Sequence, residues 1–439
     1  MKPSNASARE NDSASLTPRS AESHADSTPP GSIIKVICSR RMLVTFLMGF
    51  SCGLPLLLTI SLLQAWMKEE GVDLAVIGMM SLAGLPYTVK FLWAPVMDRY
   101  TLPFLGRRRG WLLIVQTALM VSIAGLGMTH PGRSPWLVAF AAFIVTFFSA
   151  SQDIVVDAYR REDLPDEQLG LGSSFYINGY RIGMLVASGG GLIIADYIPF
   201  KAVYLIMAAC MLPGMITTLL TPEPAMDQAP PGTLAKAVFE PLTEYFARPE
   251  AVTILVFILC YKIGDTMASA MTTPFYLDIG FSKAQIGSVV KLFGFWATIA
   301  GGFLGGVFML RMGITRGLWA FGFLQAISTA GFAILSQIGY NMFALSAVIA
   351  FENLTSGMGT AAYAAFMASI TNKKFTATQY ALLSSLMGIP RVVASAPTGF
   401  LAKTFGWTAF FICCTLIAIP GMLLLIKIAP WNPCASDDH

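Results

Sequence analysis

One pattern is written twice along this chain. Gly71, Ile77 and Gly78 recur as Gly280, Ile286 and Gly287, and the polar stripe Ser174, Asn178, Arg181, Ser188 recurs as Ser384, Gly388, Arg391, Thr398. The offsets are about 209 and about 210 residues, which is self-similarity at long period and marks a duplication. Each copy holds about six long apolar segments, close to the ~20 residues that cross a hydrocarbon core. The chain is therefore expected to be all-α and polytopic, with about twelve transmembrane helices in two six-helix halves around one cavity.

Composition agrees. With 55% hydrophobic and 12% charged residues, and a mean hydropathy of +0.64, the apolar surface exceeds what a soluble globule of this length can bury. A net charge of +4 is too small to announce nucleic acid, and no nucleic-acid partner is expected. The seven cysteines fall mostly inside apolar segments, without CxxC spacing, so neither a disulfide framework nor a metal site is expected, and no cofactor. The three histidines, His24, His130 and His439, lie outside the spans, which leaves carboxylates as intramembrane proton carriers.

Residues 1–40 are polar and predicted to be a disordered cytoplasmic extension; the apolar stretch begins too late for a secretory signal. The first half occupies 41–221 and the second 251–430, with a cytoplasmic linker at 222–250 and a tail at 431–439. Pro222, Pro224, Pro230, Pro231 and Pro241 mark the linker, whose amphipathic stretch Leu234 to Phe246 is predicted to lie on the membrane surface. Arginines and lysines cluster in alternate loops, at Arg107 to Arg109, Arg160 and Arg161, Arg311 and Arg316, and Lys373 and Lys374. The positive-inside rule puts those loops and both termini in the cytoplasm.

Nine ionisable side chains fall within the spans: Lys90, Asp153, Asp157, Arg181, Lys262, Asp265, Lys291, Glu352 and Arg391. Each costs about 2.5–3.5 kcal/mol at the centre of a lipid-facing helix, so they must face one another or water. Lys262, Asp265, Thr266, Ser269, Thr272, Thr273 and Tyr276 recur at steps of three and four, a polar face for the seventh span. Ser149, Asp153 and Asp157 repeat at steps of four, and Glu352, Ser356, Gly359, Thr360 and Tyr363 form a similar stripe. Bland readings stand beside these: a structural pair for Lys262 and Asp265, a charge network for Asp157 with Arg160 and Arg161, bracing for Arg181 and Arg391, snorkelling for Lys90. Otherwise Asp153 or Asp265 is the proton-linked acid, and Arg181 and Arg391 receive a substrate carboxylate. Gly189 to Gly191 and Gly301, Gly302, Gly305 and Gly306 read as close helix packing, and Pro55, Pro86, Pro95, Pro213, Pro390 and Pro397 as kinks.

The loop Ala94 to Gly110 resembles the signature between the second and third spans of the major facilitator superfamily, where an acid and arginines clasp a cytoplasmic gate. The carry-over falls on Asp98, Arg99, Arg107, Arg108 and Arg109, with Asp157 nearby; the equivalent loop around Gly305, Arg311, Gly313 and Arg316 lacks the acid. Longer words extend the resemblance: Ser51 to Pro55, Leu63 to Met67 with Gln64 and Trp66, Ser149 to Asp157 with Gln152, Gly179 to Val186, Tyr261 to Asp265, Phe351 to Asn353, and Ala377 to Ser385. Together they look like the AmpG family of muropeptide permeases. That resemblance implies proton-driven import of anhydromuropeptides across the bacterial inner membrane for wall recycling, a supply that also sets β-lactamase induction. It adds Gln64, Trp66, Gln152, Asn178 and Asn353 to the candidate cavity residues. The implied partners are a small glycopeptide substrate, protons and membrane lipid, for a carrier working as a monomer. Compared with longer members, the chain carries a polar N-terminal extension and stops after the twelfth span. Two alternatives stay open: a carrier of another large substrate such as a siderophore or acyl-coenzyme A, and a polytopic enzyme acting on a lipid-linked glycan, against which stand short loops with no paired carboxylates.

Overall fold

A computed structural model describes residues 30–72, 76–77, 80–225, 233–282, 285–394 and 397–429, apart from the side chains of 30–33, 81 and 391–393. The stretch 1–29, the tail from 430 and the side chain of Arg391 lie outside the described residues. Among the described residues the chain is helical, with one isolated bridge, Leu102 to Gly106, in place of any sheet. Seven helices are long and apolar enough to cross a membrane by length and composition alone. One of them, Ile286–Ile338, is two spans turned at Gly313, and the helix Thr398–Ile428 turns in the same way at Gly406.

Joining the interrupted helices gives spans α1 (Arg40–Glu69), α2 (80–99), α3 (Arg107–Gly127), α4 (Pro135–Asp163), α5 (169–195) and α6 (Phe200–Leu220). The second half repeats the order with α7 (Ala251–Asp278), α8 (286–312), α9 (314–338), α10 (Met342–Ser369), α11 (376–405) and α12 (407–428). Prolines account for several interruptions. Pro86 and Pro95 each open a new piece of α2, where their missing N–H is no loss. The duplicated Gly71 and Gly280 close the turns after α1 and α7 at φ 73° and 97°, a region that excludes most side chains. That shared backbone conformation is the physical content of the sequence repeat at these two positions.

Glycines fix the tightest packing. A Cβ at Gly49 or Gly53 would run into the backbone of Tyr176 and Tyr180, and one at Gly179 or Gly183 into that of Phe46 and Phe50. α1 and α5 therefore meet backbone to backbone, the small-residue contact that drives helix association in lipid. Gly301 and Gly305 against Leu354 and Met358, with Gly357 against Thr298, repeat the contact between α8 and α10.

Among the described residues, the halves share a core at one end only. Call the end that carries the arginine-rich α2–α3 and α4–α5 loops the basic end. There, Ala377 and Ala381 of α11 pack among Met97, Ile154, Val155 and Ala158 of the first half, and Met42, Leu164 and Leu171 pack with Met309, Met358 and Tyr380 of the second. At the opposite end one buried cluster is drawn wholly from the first half, around Leu62, Trp66 and Tyr204. The other is drawn wholly from the second, around Phe275, Phe332 and Phe411. The linker helix Leu234–Ala247 buries Ala237, Pro241 and Tyr245 against the bundle at the basic end, and Gln379 donates to the Pro241 carbonyl at 3.2 Å. Its inner face is committed to protein, while Phe239 and Phe246 stay exposed.

Candidate functional site

A seam of polar contacts closes the basic end. Asp98, fully buried at the end of α2, accepts from the backbone N–H of Ala377 and Thr378 at 3.3 and 2.8 Å and from the Thr378 hydroxyl at 2.7 Å. A carboxylate of the first half thus caps the first turn of α11 in the second, where the helix dipole and unpaired N–H groups favour negative charge. The same carboxylate accepts from Arg108 at 2.8 Å. Arg108 is itself fully buried and also engages Glu162 at 2.6 Å and the Met97 carbonyl at 3.2 Å. Arg107 reaches the same Glu162 at 3.0 Å.

The neighbouring arginines do other work. Arg109 donates to the carbonyls of Thr218 and Leu219, the open C-terminal end of α6. Arg99 lies over the Tyr100 ring at 5.5 Å. Asp157 pairs with Arg160 at 3.1 Å, and Arg160 continues across the seam to the Tyr380 hydroxyl at 2.8 Å while covering the Tyr176 ring. Arg161 pairs with Asp166 and reaches the Ser369 carbonyl. Two carboxylates were missed by sequence reasoning. Glu162 is the hub for Arg107 and Arg108, and Glu223 accepts from the backbone N–H of Arg108 and Arg109 at 2.7 and 3.0 Å, capping α3 from beyond α6. Neither was visible as a site because each sits in a loop-end context that reads as ordinary surface charge.

The seam continues up α5 and α8. Ser174 donates to the Gly302 carbonyl, Asn178 to Ile299 at 3.2 Å, and Arg181 to Thr298 at 3.2 Å. Gly302 and Gly306 admit this approach, because a Cβ there would overlap Asn178 and Ser174. Above Arg181 the halves part around a cavity of about 260 Å³ lined by Leu57, Arg181, Ser188, Phe295 and Thr298. Stretches of π-helix in α1 (Leu58–Leu62), α5 (Val186–Gly190) and α8 (Ile286–Phe293) adjoin it. Such π-helical bulges are frequent at functional sites.

Each half also holds a buried polar cluster. In the first half, Asp153 is buried with Oδ1 lacking a hydrogen-bond partner among the described residues, and it feels the charges of Lys90 and Asp157. Lys90 is itself buried, which corrects the snorkelling expectation. Tyr87 donates to Ser149 at 2.7 Å beside it, and Gln152 ties α4 to α1 through Ser51 and Cys52 at 3.2 and 3.3 Å. In the second half, Lys262 reaches Asp265 at 3.3 Å and Gln325 at 3.2 Å, and Ser328 donates to Glu352 at 2.5 Å.

Other expected cavity residues lie elsewhere. Trp66 is in the first-half core, stacked on Phe200 at 5.7 Å and against Tyr204 at 5.4 Å, so it is a packing residue; Gln64 is half-buried one position off that face. Tyr276 packs its ring among Phe275 and Phe332, inside the second half. The stripe on α10 turns into its own half: Tyr363 donates to the Ile258 carbonyl at 2.6 Å, and Asn353 accepts from Thr298 at 2.8 Å, bracing α8. Lys291 is exposed. Aromatic and carboxamide side chains on a polar stripe do not reveal from sequence whether a helix neighbour or a cavity takes them.

Comparison with known proteins gives a consistent picture. The profile of the Major Facilitator Superfamily matches residues 41–395. The anhydromuropeptide permease of Escherichia coli K12 is 43% identical over 395 residues, covering 90% of this chain and 80% of that protein. An uncharacterised Haemophilus influenzae protein is 41% identical, covering 91% and 97%, and a putative transporter AmpG 4 of Rickettsia felis is 32% identical, covering 90% and 98%. Among solved structures, a variant of the E. coli fucose:proton symporter aligns with a TM-score of 0.68 at 12% identity, covering 88% and 97%. The human organic anion transporter MFSD10 aligns at 0.63 and 14%, covering 90% and 98%. These two show the fold alone.

Proposed function

This chain belongs to the major facilitator superfamily, in the family of the anhydromuropeptide permeases, and we propose that it imports anhydromuropeptides from periplasm to cytoplasm, coupled to protons. The observation that carries this reading is the 43% identity to the E. coli permease over 90% of the chain, because sequence similarity at that level runs through the helices that border the cavity. The geometry supports it from another side. A cavity floored by Arg181 offers a planar guanidinium to the lactyl or peptide carboxylates of a muropeptide. The halves part at the end opposite the arginine-rich loops, and the positive-inside rule assigns those loops to the cytoplasm. The described conformation is then the one that receives substrate from the periplasm, in a bacterial inner membrane, with both termini cytoplasmic and a single copy sufficient for transport.

Alternating access follows from the seam. Opening it requires Asp98 to leave the α11 N-terminus and Arg160 to leave Tyr380, while the two separate cores at the other end close over the cargo. The imported fragments feed wall recycling and, in bacteria that sense them, β-lactamase induction. The test is cellular: a strain lacking its own permease releases wall-derived anhydromuropeptides to the medium. Expression of this chain is expected to return labelled fragments to the cytoplasm as intact molecules. Continued loss of label, or recovery only of cleaved sugars and peptides, contradicts the assignment.

A further inference from the structure

Two acidic side chains from different helices meet inside the second half, and no positive charge separates them. Asp265 of α7 and Glu352 of α10 lie within hydrogen-bonding reach of one another. Ionised carboxylates only accept hydrogen bonds, so two that are joined must share a proton. Lys262, at 3.3 Å, is bonded to Asp265 and to Gln325. Glu352 has instead the Ser328 hydroxyl at 2.5 Å, itself held by Thr355 at 2.9 Å, and only 8% of Glu352 is exposed. Among the described residues, the titratable or charged groups that interact with the pair are Lys262 and Tyr276 from α7 and Arg181 from α5; α9 supplies the uncharged Gln325 and Ser328. A space of about 10 Å³ bordered by Asp265, Gln325 and Thr329 gives room for about one water beside the pair.

We propose that Glu352 is the residue that carries the coupled proton, with Asp265, paired to Lys262, as its partner. This rests on the proton-coupled reading above. It also gives that coupling a physical link to substrate. Arg181 lies within electrostatic reach of Asp265, so an anion bound to Arg181 offsets the positive field at the acid pair and strengthens its hold on the proton. Release on the cytoplasmic side requires the reverse: departure of the anion restores that field, and the proton leaves Glu352.

The experiment uses the purified full chain in proteoliposomes with labelled anhydromuropeptide, comparing uptake under an inward proton gradient with exchange at equal pH. One proton per substrate across a gradient of one pH unit gives about tenfold accumulation. Glu352→Gln is expected to reduce that to no accumulation while keeping exchange. Failure of the native protein to take up substrate overturns the function and this assignment together. Gradient-driven accumulation by the native protein and equally by Glu352→Gln overturns the assignment alone. Should Glu352→Gln not fold, Ser328→Ala decides: a displaced pH midpoint of uptake with unchanged exchange at saturating substrate supports Glu352, and an unchanged midpoint overturns it.

Discussion

Replacing Asp98 by Asn keeps the shape of the side chain and removes the charge that joins the halves. In the structure that carboxylate accepts two backbone N–H groups and one hydroxyl from the first turn of α11, at 2.7–3.3 Å, besides Arg108 at 2.8 Å. An asparagine offers one acceptor oxygen where the carboxylate offers two, and its amide faces donors. Breaking a buried charge pair costs about 3–5 kcal/mol; Arg108 keeps Glu162, so the low end, about 3 kcal/mol, is the appropriate figure. That corresponds to ~150-fold in an equilibrium constant. A seam closed at about 99:1 would fall to roughly 2:3, which is a change of dominant state. The reporter is a cysteine at Ala381, buried in the shared core of the basic end, in a background without the native cysteines. Maleimide labelling from the cytoplasmic face is expected to rise steeply in Asp98→Asn without substrate. Unchanged labelling in a folded variant would refute the reasoning and leave the basic cluster as a determinant of topology.

Three further outcomes follow from the geometry. Arg181→Lys removes the planar fork and is expected to weaken uptake of peptide-bearing substrate by about tenfold or more, with a smaller loss for the bare anhydro-disaccharide; equal losses in a competition assay would argue that Arg181 only braces Thr298. Trp66→Ala should cost about 3–5 kcal/mol of stability, read as a lowered thermal midpoint in detergent, with substrate preference unchanged; altered preference would return Trp66 to the cavity. Gly302→Leu forces a side chain onto Asn178 and should raise labelling of the Ala381 cysteine in the same direction as Asp98→Asn, so a protected cysteine would show that α5 and α8 do not form the seam.

Legibility in the sequence followed the reach of the interactions. The helical architecture and the duplicated turns at Gly71 and Gly280 could be read because they depend on hydropathy and on local backbone sterics. The acid and arginines of the 94–110 loop stood out as a local motif, but sequence could not divide labour among Arg107, Arg108 and Arg109, since that division depends on Glu162 and Glu223, more than fifty and more than a hundred residues away. Tyr276 and Tyr363 were placed on polar stripes because helical spacing reports a common face and not what packs against it, and Trp66 was counted as a cavity residue because a family word does not show its packing partners. Glu352 was legible as a charge in a span, whereas its meeting with Asp265 required two helices to be placed side by side. Each miss concerned a partner contributed by a distant segment.

The most direct test of the account is the identity of the cargo. Vesicles holding the purified chain, given an inward proton gradient and an equal mixture of anhydromuropeptide, a ferric siderophore and an acyl-coenzyme A, are opened after a timed interval and their contents measured by mass spectrometry. The account predicts accumulation of the intact anhydromuropeptide alone, abolished when the gradient is collapsed. Accumulation of either other compound in its place, or a cleaved muropeptide inside the vesicles, would contradict it.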